Sequence, residues 1–368
     1  MQLLYLLSRD FRNLAGETIF FGSGINVLYG ANAQGKTNIL EAISVLSSGN
    51  SFRGATDQQM TKQGAEGYAL RGVYEEKDVH REWSTEYSKG SARSNRMGNK
   101  KVAAHHPDRL KTAVFTPEDL YLIKGPPSLR RRFLDYALDQ LYTEYHRQGQ
   151  IYSAALKQRN YLLRQGSGNQ ALNQTLEGIL AESGAYITLT RLGWVKKLEK
   201  RMDYFYSALT GEKKEVKLKY VLSTNVPGGH IETEKITAWY LEAYKNASDK
   251  EKRMRNTLIG PHREDINFYL GQQLAKNYAS QGEQRNLAIA LKLAEIECYQ
   301  MVTGNYPVFL LDEVFSELDL QRRLRLAEVL SSAQYQVIIT TVEFNHELFD
   351  NYHGMMIDQG SVQGNKGD

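Results

Sequence analysis

Apolar positions in the first 115 residues recur in short runs separated by turn residues, the pattern of strands. LLYLL at 3–7, TIFF at 18–21 and INVLY at 25–29 are three such runs. YALRGVY at 68–74 and HREWSTEY at 80–87 alternate with period two, a basic Gly-Asn hairpin follows around 93–102, and TAVF at 112–115 is a further strand. After Pro117 the period lengthens. Leu129, Phe133, Ala137, Leu141, Tyr145, Ile151, Ala155 and Leu162 keep helical spacing from Ser128, the expected N-cap, to about 164. GSGN at 166–169 turns the chain into a second helical pattern over 170–209, and two long helices joined so briefly should lie antiparallel.

EVKLKYVL at 215–222 alternates as a strand, a helix is expected over 233–247, and INFYL (266–270) with LAKNY (274–278) reads as a hairpin across Gly271. From 281 the order is helix, strand 307–311, helix 320–330, strand 335–340 and a last strand near 353–357, the alternation of an α/β unit with parallel strands. The two ends of the chain are expected to complete one sheet, giving a head of 1–115 and 255–368 with an inserted, mainly helical lobe of 116–254.

Composition adds constraints. At 368 residues there is room for two cores, and 41% hydrophobic with 24% charged residues is ordinary for a globular protein. The single Cys298, inside an apolar helical pattern, excludes a disulfide framework or a zinc site built from Cys pairs. The start, MQLLYLLSRDFRNL, lacks the layout of a secretion signal, and its apolar run is far short of the ~20 residues of a membrane span. A cytoplasmic protein without a membrane partner is expected. Net charge is +4, but residues 126–214 hold 14 Lys plus Arg against 8 Asp plus Glu. A basic middle suits an anionic polymer; it is equally what a Lys/Arg-rich helical surface produces.

Candidate chemistry begins at Gly30, Ala31, Asn32, Ala33, Gln34, Gly35, Lys36 and Thr37, which fit G-x-x-x-x-G-K-[ST] between an expected strand and a helical pattern. Glycines let backbone N–H groups curl around phosphates, Lys36 reaches the β and γ oxygens, and Thr37 ligates Mg²⁺. Asp312 and Glu313 close an apolar strand expected beside the loop's strand: Asp312 to hold Mg²⁺ directly or through water, Glu313 to polarise attacking water. Ser280 and Glu283 form a capping box at the start of a long apolar helix 28 residues before Val308, and Asp319 follows the carboxylate strand. His105-His106 reads as a solvated turn. Arg130-Arg131-Arg132 either touches an anionic polymer or, as its place at a domain boundary favours, braces that junction by ion pairs.

This order of elements resembles that of ABC-type ATPases. DFRNL (10–14), SFRG (51–54), FTPEDLYLIKGPPSLRRRFLD (115–135), IGPHRED (259–265) and SQGEQRNLAIALKLAE (280–295), together with the loop at 30–37, are similar to the RecF family, bacterial recombination mediators of the SMC-like branch, over essentially the whole chain. The resemblance implies an α/β, ABC-type (SMC-like) ATPase head with a compact helical lobe in place of a coiled coil. It implies ATP and Mg²⁺ as cofactors and an ATP-dependent homodimer. In that dimer Ser280 and Gly282 would cap the γ-phosphate held by the other subunit, with Asp319 at the seam. Arg12 and Arg53 fall where related heads place basic residues near the nucleotide. DNA at gaps or single/double-strand junctions, RecO and RecR are the implied partners, and recombinase loading in repair, replication restart and the SOS response the implied outcome. Two departures stand out: Pro117-Glu118-Asp119 where such ATPases carry a Gln, and Thr340-Thr341 where they carry a switch His. Both fit slow hydrolysis. The alternatives are a transporter's nucleotide-binding subunit, against which the long basic insertion argues, and a nucleotide switch without turnover.

Overall fold

The computed structural model describes residues 1–166, 170–224 and 232–365; most of the turn read at 166–169 lies outside them. The chain divides into two compact units. Unit one comprises Met1–Tyr121, Met202–Lys214 and Arg285–Asp368; unit two comprises Leu122–Arg201 and Glu215–Gln284. Residues 255–284, read with the head in the sequence, thus group with the second unit. The physical reason is sheet pairing, since Asp265–Leu270 runs antiparallel to Val216–Val221 along its whole length.

Unit one holds two six-stranded sheets. The first is antiparallel, in the order Thr18–Phe20, Gln2–Arg9, Gly67–Glu76, Val79–Ser88, Ser94–Met97, Lys100–Val102. The second runs Ser361–Asn365, His353–Asp358, Ile25–Tyr29, Val337–Thr341, Val308–Asp312, Thr112–Phe115, parallel throughout except for its first, edge strand. All five residues are buried in both Val308–Asp312 and Val337–Thr341, as expected of strands covered on both faces. The helix Lys36–Ser48 packs against strands of both sheets, and from Ile39 onward every residue of it is buried. At its far end Leu46 needs the missing side chain of Gly72, where a Cβ would stand 3.0 Å from Leu46 Cδ1.

Strand order departs from the sequence reading. Val308–Asp312 is not the neighbour of Ile25–Tyr29, because Val337–Thr341 lies between and pairs with both. Periodicity identifies buried parallel strands but carries no information about which of them pair.

In unit two the long helical pattern after Pro117 is two helices, Pro127–Leu141 and Thr143–Gln165, broken at Tyr142 with φ −130°. Pro127, at the first helical position, opens the first of them; Ser128 lies inside the helix, and no side chain caps its start. Thr143–Gln165 and Gln170–Thr210 run antiparallel as expected: Arg159 meets Glu177 at 2.6 Å, and Arg191 meets the Tyr145 hydroxyl at 2.9 Å. The strand expected at 274–278 shrinks to Gln273–Leu274, followed by a helical turn, Ala275–Tyr278.

Buried charge organises this unit. Glu264 accepts from the hydroxyls of Tyr240 (2.6 Å), Tyr220 (2.8 Å) and Thr188 (2.9 Å). Arg130 makes a bidentate pair with Asp265 at 2.6 and 2.8 Å, and Arg131 donates to the Glu264 carbonyl at 2.9 Å. Two members of the Arg130–Arg132 run therefore brace the fold. At Gly260, φ +124°, any Cβ would stand 2.2 Å from the Tyr152 hydroxyl.

Candidate nucleotide-binding site

The loop 30–35 leaves the buried strand Ile25–Tyr29 and enters the helix at Lys36. Backbone geometry demands its glycines. Gly30 has φ +144°, and a Cβ there would lie 2.4 Å from the Ile357 carbonyl oxygen; Gly35, at φ +112°, caps the helix where a Cβ would stand 3.0 Å from Asn13 Oδ1. Ala33, at φ 64°, completes the left-handed path. Gln34 ties the loop's back to the turn after His353–Asp358: its side-chain oxygen accepts from Gln359 N–H at 2.6 Å and its carbonyl from Gly360 N–H at 2.7 Å. Ala31, Asn32 and Ala33 are exposed.

Lys36 is buried, and its ammonium donates to the carbonyls of Gly30 and Ala31 at 2.9 Å each. Thr37 donates its hydroxyl to Asp312 Oδ1 at 2.7 Å, and Thr340 donates to the same oxygen at 2.9 Å. Thr340 Oγ1 also accepts the Glu313 N–H at 2.9 Å, helping to hold Glu313 in a left-handed conformation at φ 52°. Left-handed backbone in a non-glycine residue persists where its surroundings fix it, most often at functional sites. The Glu313 carboxylate is 34% exposed and stands 3.7 Å from the Lys36 ammonium. Lys36, Thr37, Asp312 and Glu313 thus converge, with Thr340 as the pin between the loop helix and the carboxylate strand.

Arg12 and Arg53 meet on one residue that the sequence reading missed, Glu41. Arg12 is bidentate to it at 2.8 Å and 2.8 Å, and Arg53 stands 3.8 Å away. The available signal was a lone carboxylate within the apolar run of the loop helix. Asp319 caps the helix Leu320–Ser331, accepting from Arg322 N–H at 3.0 Å. Ser280 and Gly282 belong to unit two, and Ser280 makes the expected capping box. Its N–H donates to Glu283 Oε2 at 2.9 Å while its Oγ accepts the Glu283 N–H at 3.3 Å. In the segment that departs from the ATPase pattern, Asp119 accepts from Thr116 N–H at 2.8 Å and stands 3.7 Å from Lys292.

The donor set fits a nucleotide triphosphate and its metal. A buried ammonium at a helix N-terminus, reached through glycines that leave no room for side chains, suits phosphate oxygens. A hydroxyl and a carboxylate 2.7 Å apart supply the hard oxygen ligands that Mg²⁺ takes.

Over residues 2–362 the chain matches the family model of the RecF/RecN/SMC N terminal domain, which defines its class. It is 34% identical to the DNA replication and repair protein RecF of Pediococcus pentosaceus, with all of both chains covered. It is 35% identical to the RecF of Thermosynechococcus vestitus, covering 93% of this chain and 90% of that one. Among solved structures, the recombination mediator protein RecF-ATPrS in the RecFOR pathway is 30% identical and superposes with a TM-score of 0.90, covering 99% of this chain and 98% of that one. The Smc head bound to the C-winged helix domain of ScpA, 14% identical with a TM-score of 0.57 and coverage of 99% and 96%, shares the fold. The chain belongs to the RecF family. Its fold is accordingly the α/β, ABC-type head of SMC-like proteins. No helix among the described residues is long and apolar enough to cross a membrane.

Proposed function

We propose that this protein is an ATP-dependent recombination mediator of DNA repair, acting in the cytoplasm. In this reading unit one is the ATPase head, and Gly30 to Thr37 cradle the triphosphate, with Lys36 turning from the loop carbonyls to the β and γ oxygens. Thr37 and Asp312 would hold Mg²⁺, which would supply positive charge against that of the phosphates. Glu313, beside the Lys36 ammonium and open to solvent, is the group placed to orient and deprotonate an attacking water. Arg12 and Arg53 add positive charge at the edge of the nucleotide. Ser280 and Gly282 of one copy cap the triphosphate held by the other, offering a hydroxyl and a helix N-terminus, with Asp319 near the seam. ATP would join two heads, the dimer would grip DNA at gaps or junctions, and slow hydrolysis would release it. RecO and RecR are the partners this family membership supplies, and recombinase loading during repair, replication restart and the SOS response is the outcome.

The observation carrying this reading is the 2.7 Å bond between Thr37 and Asp312 beside a buried Lys36, in a chain related to RecF over its whole length. DNA retention tests it. With ATP and Mg²⁺ the wild type should hold a gapped duplex with an affinity that falls steeply with salt, and Lys36→Ala should lose the ATP dependence. Wild-type binding indifferent to ATP would contradict it.

A further inference from the structure

Glu41 lies one helical turn beyond Thr37, on the same face of the loop helix, and is fully buried. A carboxylate in that position needs full compensation, and it has it. Oε2 accepts from Arg12 Nε, and Oε1 accepts from Arg12 Nη2 and from the Ser51 hydroxyl. The remaining Arg12 nitrogen donates to the Gln59 carbonyl at 2.7 Å, so this arginine is locked on every side. Its backbone, at φ 50°, is left-handed, another strained residue in the same corner.

Arg53 is held differently. Its guanidinium is 3.8 Å from Glu41 Oε2, donates to Asn38 Oδ1 at 3.1 Å, and is 48% exposed. Asn38 donates in turn to Asn13 Oδ1 at 2.7 Å, and Asn13 to the Ala33 carbonyl of the phosphate loop at 3.3 Å. One carboxylate facing two guanidiniums leaves a positive charge uncompensated at the loop's edge, and the loosely held arginine is the one able to spend it on a ligand.

We propose that Glu41 is a positioning residue for the nucleotide: it fixes Arg12 and holds Arg53 within reach of the triphosphate bound in the loop. This rests on the ATP-binding reading above. The geometry gives the two arginines unequal parts, Arg12 as anchor and Arg53 as the arm that turns toward phosphate.

The test is a titration of a fluorescent, slowly hydrolysed ATP analogue with Mg²⁺ into wild type, Glu41→Gln, Glu41→Asp, Arg53→Ala and the Glu41→Gln/Arg53→Ala double variant, with a thermal melt of each. Glu41→Gln and Arg53→Ala should each weaken binding about tenfold, and the double variant should bind no more weakly than Glu41→Gln alone, because both changes remove one interaction. Arg53→Ala should melt with the wild type. If Glu41→Gln does not fold, Glu41→Asp keeps the charge while shortening its reach, and should melt near the wild type yet bind several-fold more weakly. Wild-type affinity in the folded Glu41 variants, or losses that multiply in the double variant, would overturn the proposal while leaving the loop's role intact. A wild type that does not bind the analogue would overturn both.

Discussion

Thr37 and Asp312, 275 residues apart in the chain, share a 2.7 Å hydrogen bond across an intervening strand. The strand between them supplies the pin: Thr340 reaches the same Asp312 oxygen and fixes the backbone of Glu313. Loop, candidate metal-ligating carboxylate and candidate base are thereby set relative to one another by three short contacts.

Glu313→Gln should separate binding from chemistry. The amide keeps the shape and the backbone bonds to Thr340 but cannot accept a proton, so hydrolysis should fall at least about 100-fold while ATP still drives dimerisation. Phosphate release and sedimentation on the same preparation check this, and turnover at the wild-type rate would remove Glu313 from the role of base.

Arg130→Ala tests the bracing role of the arginine run. Arg130 is buried, bidentate to Asp265, and also donates to the carbonyls of Leu122 and Gly125 at 2.8 Å each. Removing it leaves the Asp265 carboxylate without its cation, and stability should fall by about 3–5 kcal/mol. Denaturant unfolding measures the loss. Unchanged stability with weakened DNA binding would instead put this side chain on the nucleic acid.

Glu295 should make stability depend on pH near neutrality. Burial pushes its carboxyl up to about 7 against the pull of Lys292, 3.3 Å away, with the nearby Asp119 carboxylate adding to the rise. The folded state then keeps a proton that the unfolded chain releases above its ordinary value of 4.5, so this group's contribution falls as pH rises from about 4.5 to 7 and is level above that. Glu295→Gln removes the slope. Relative to wild type it should gain stability between pH 5 and pH 8, by up to about 3 kcal/mol. Paired denaturant melts at the two pH values check this, and a constant difference would contradict it.

Much of this site was legible in the sequence because its local rules are strict. A strand, two obligatory glycines, a lysine and a threonine at a helix start can be read from residues 25–48 alone, and Ser280 with Glu283 announces its capping box. Pairing was not legible: nothing in a run of buried apolar residues says that Val337–Thr341 sits between the other two strands. The break at Tyr142 was hidden for a similar reason, since no proline or glycine marks it and helical spacing resumes at once. The meeting of Arg12 and Arg53 on Glu41 depends on three segments brought together by the fold, so each residue alone reads as an ordinary charge. In the arginine run, position at a domain boundary favoured bracing over contact with DNA, and the Asp265 pair decides for bracing at Arg130.

Sedimentation velocity of wild type and Ser280→Arg, each with and without ATP and Mg²⁺, addresses the sharing of nucleotide between two copies most directly. Ser280 is exposed at a helix start, so arginine there should leave the fold and ATP binding intact. The expected result is an ATP-dependent dimer for the wild type and a monomer, still able to bind ATP, for Ser280→Arg. A variant that dimerises with ATP as the wild type does would contradict a site completed by the second subunit.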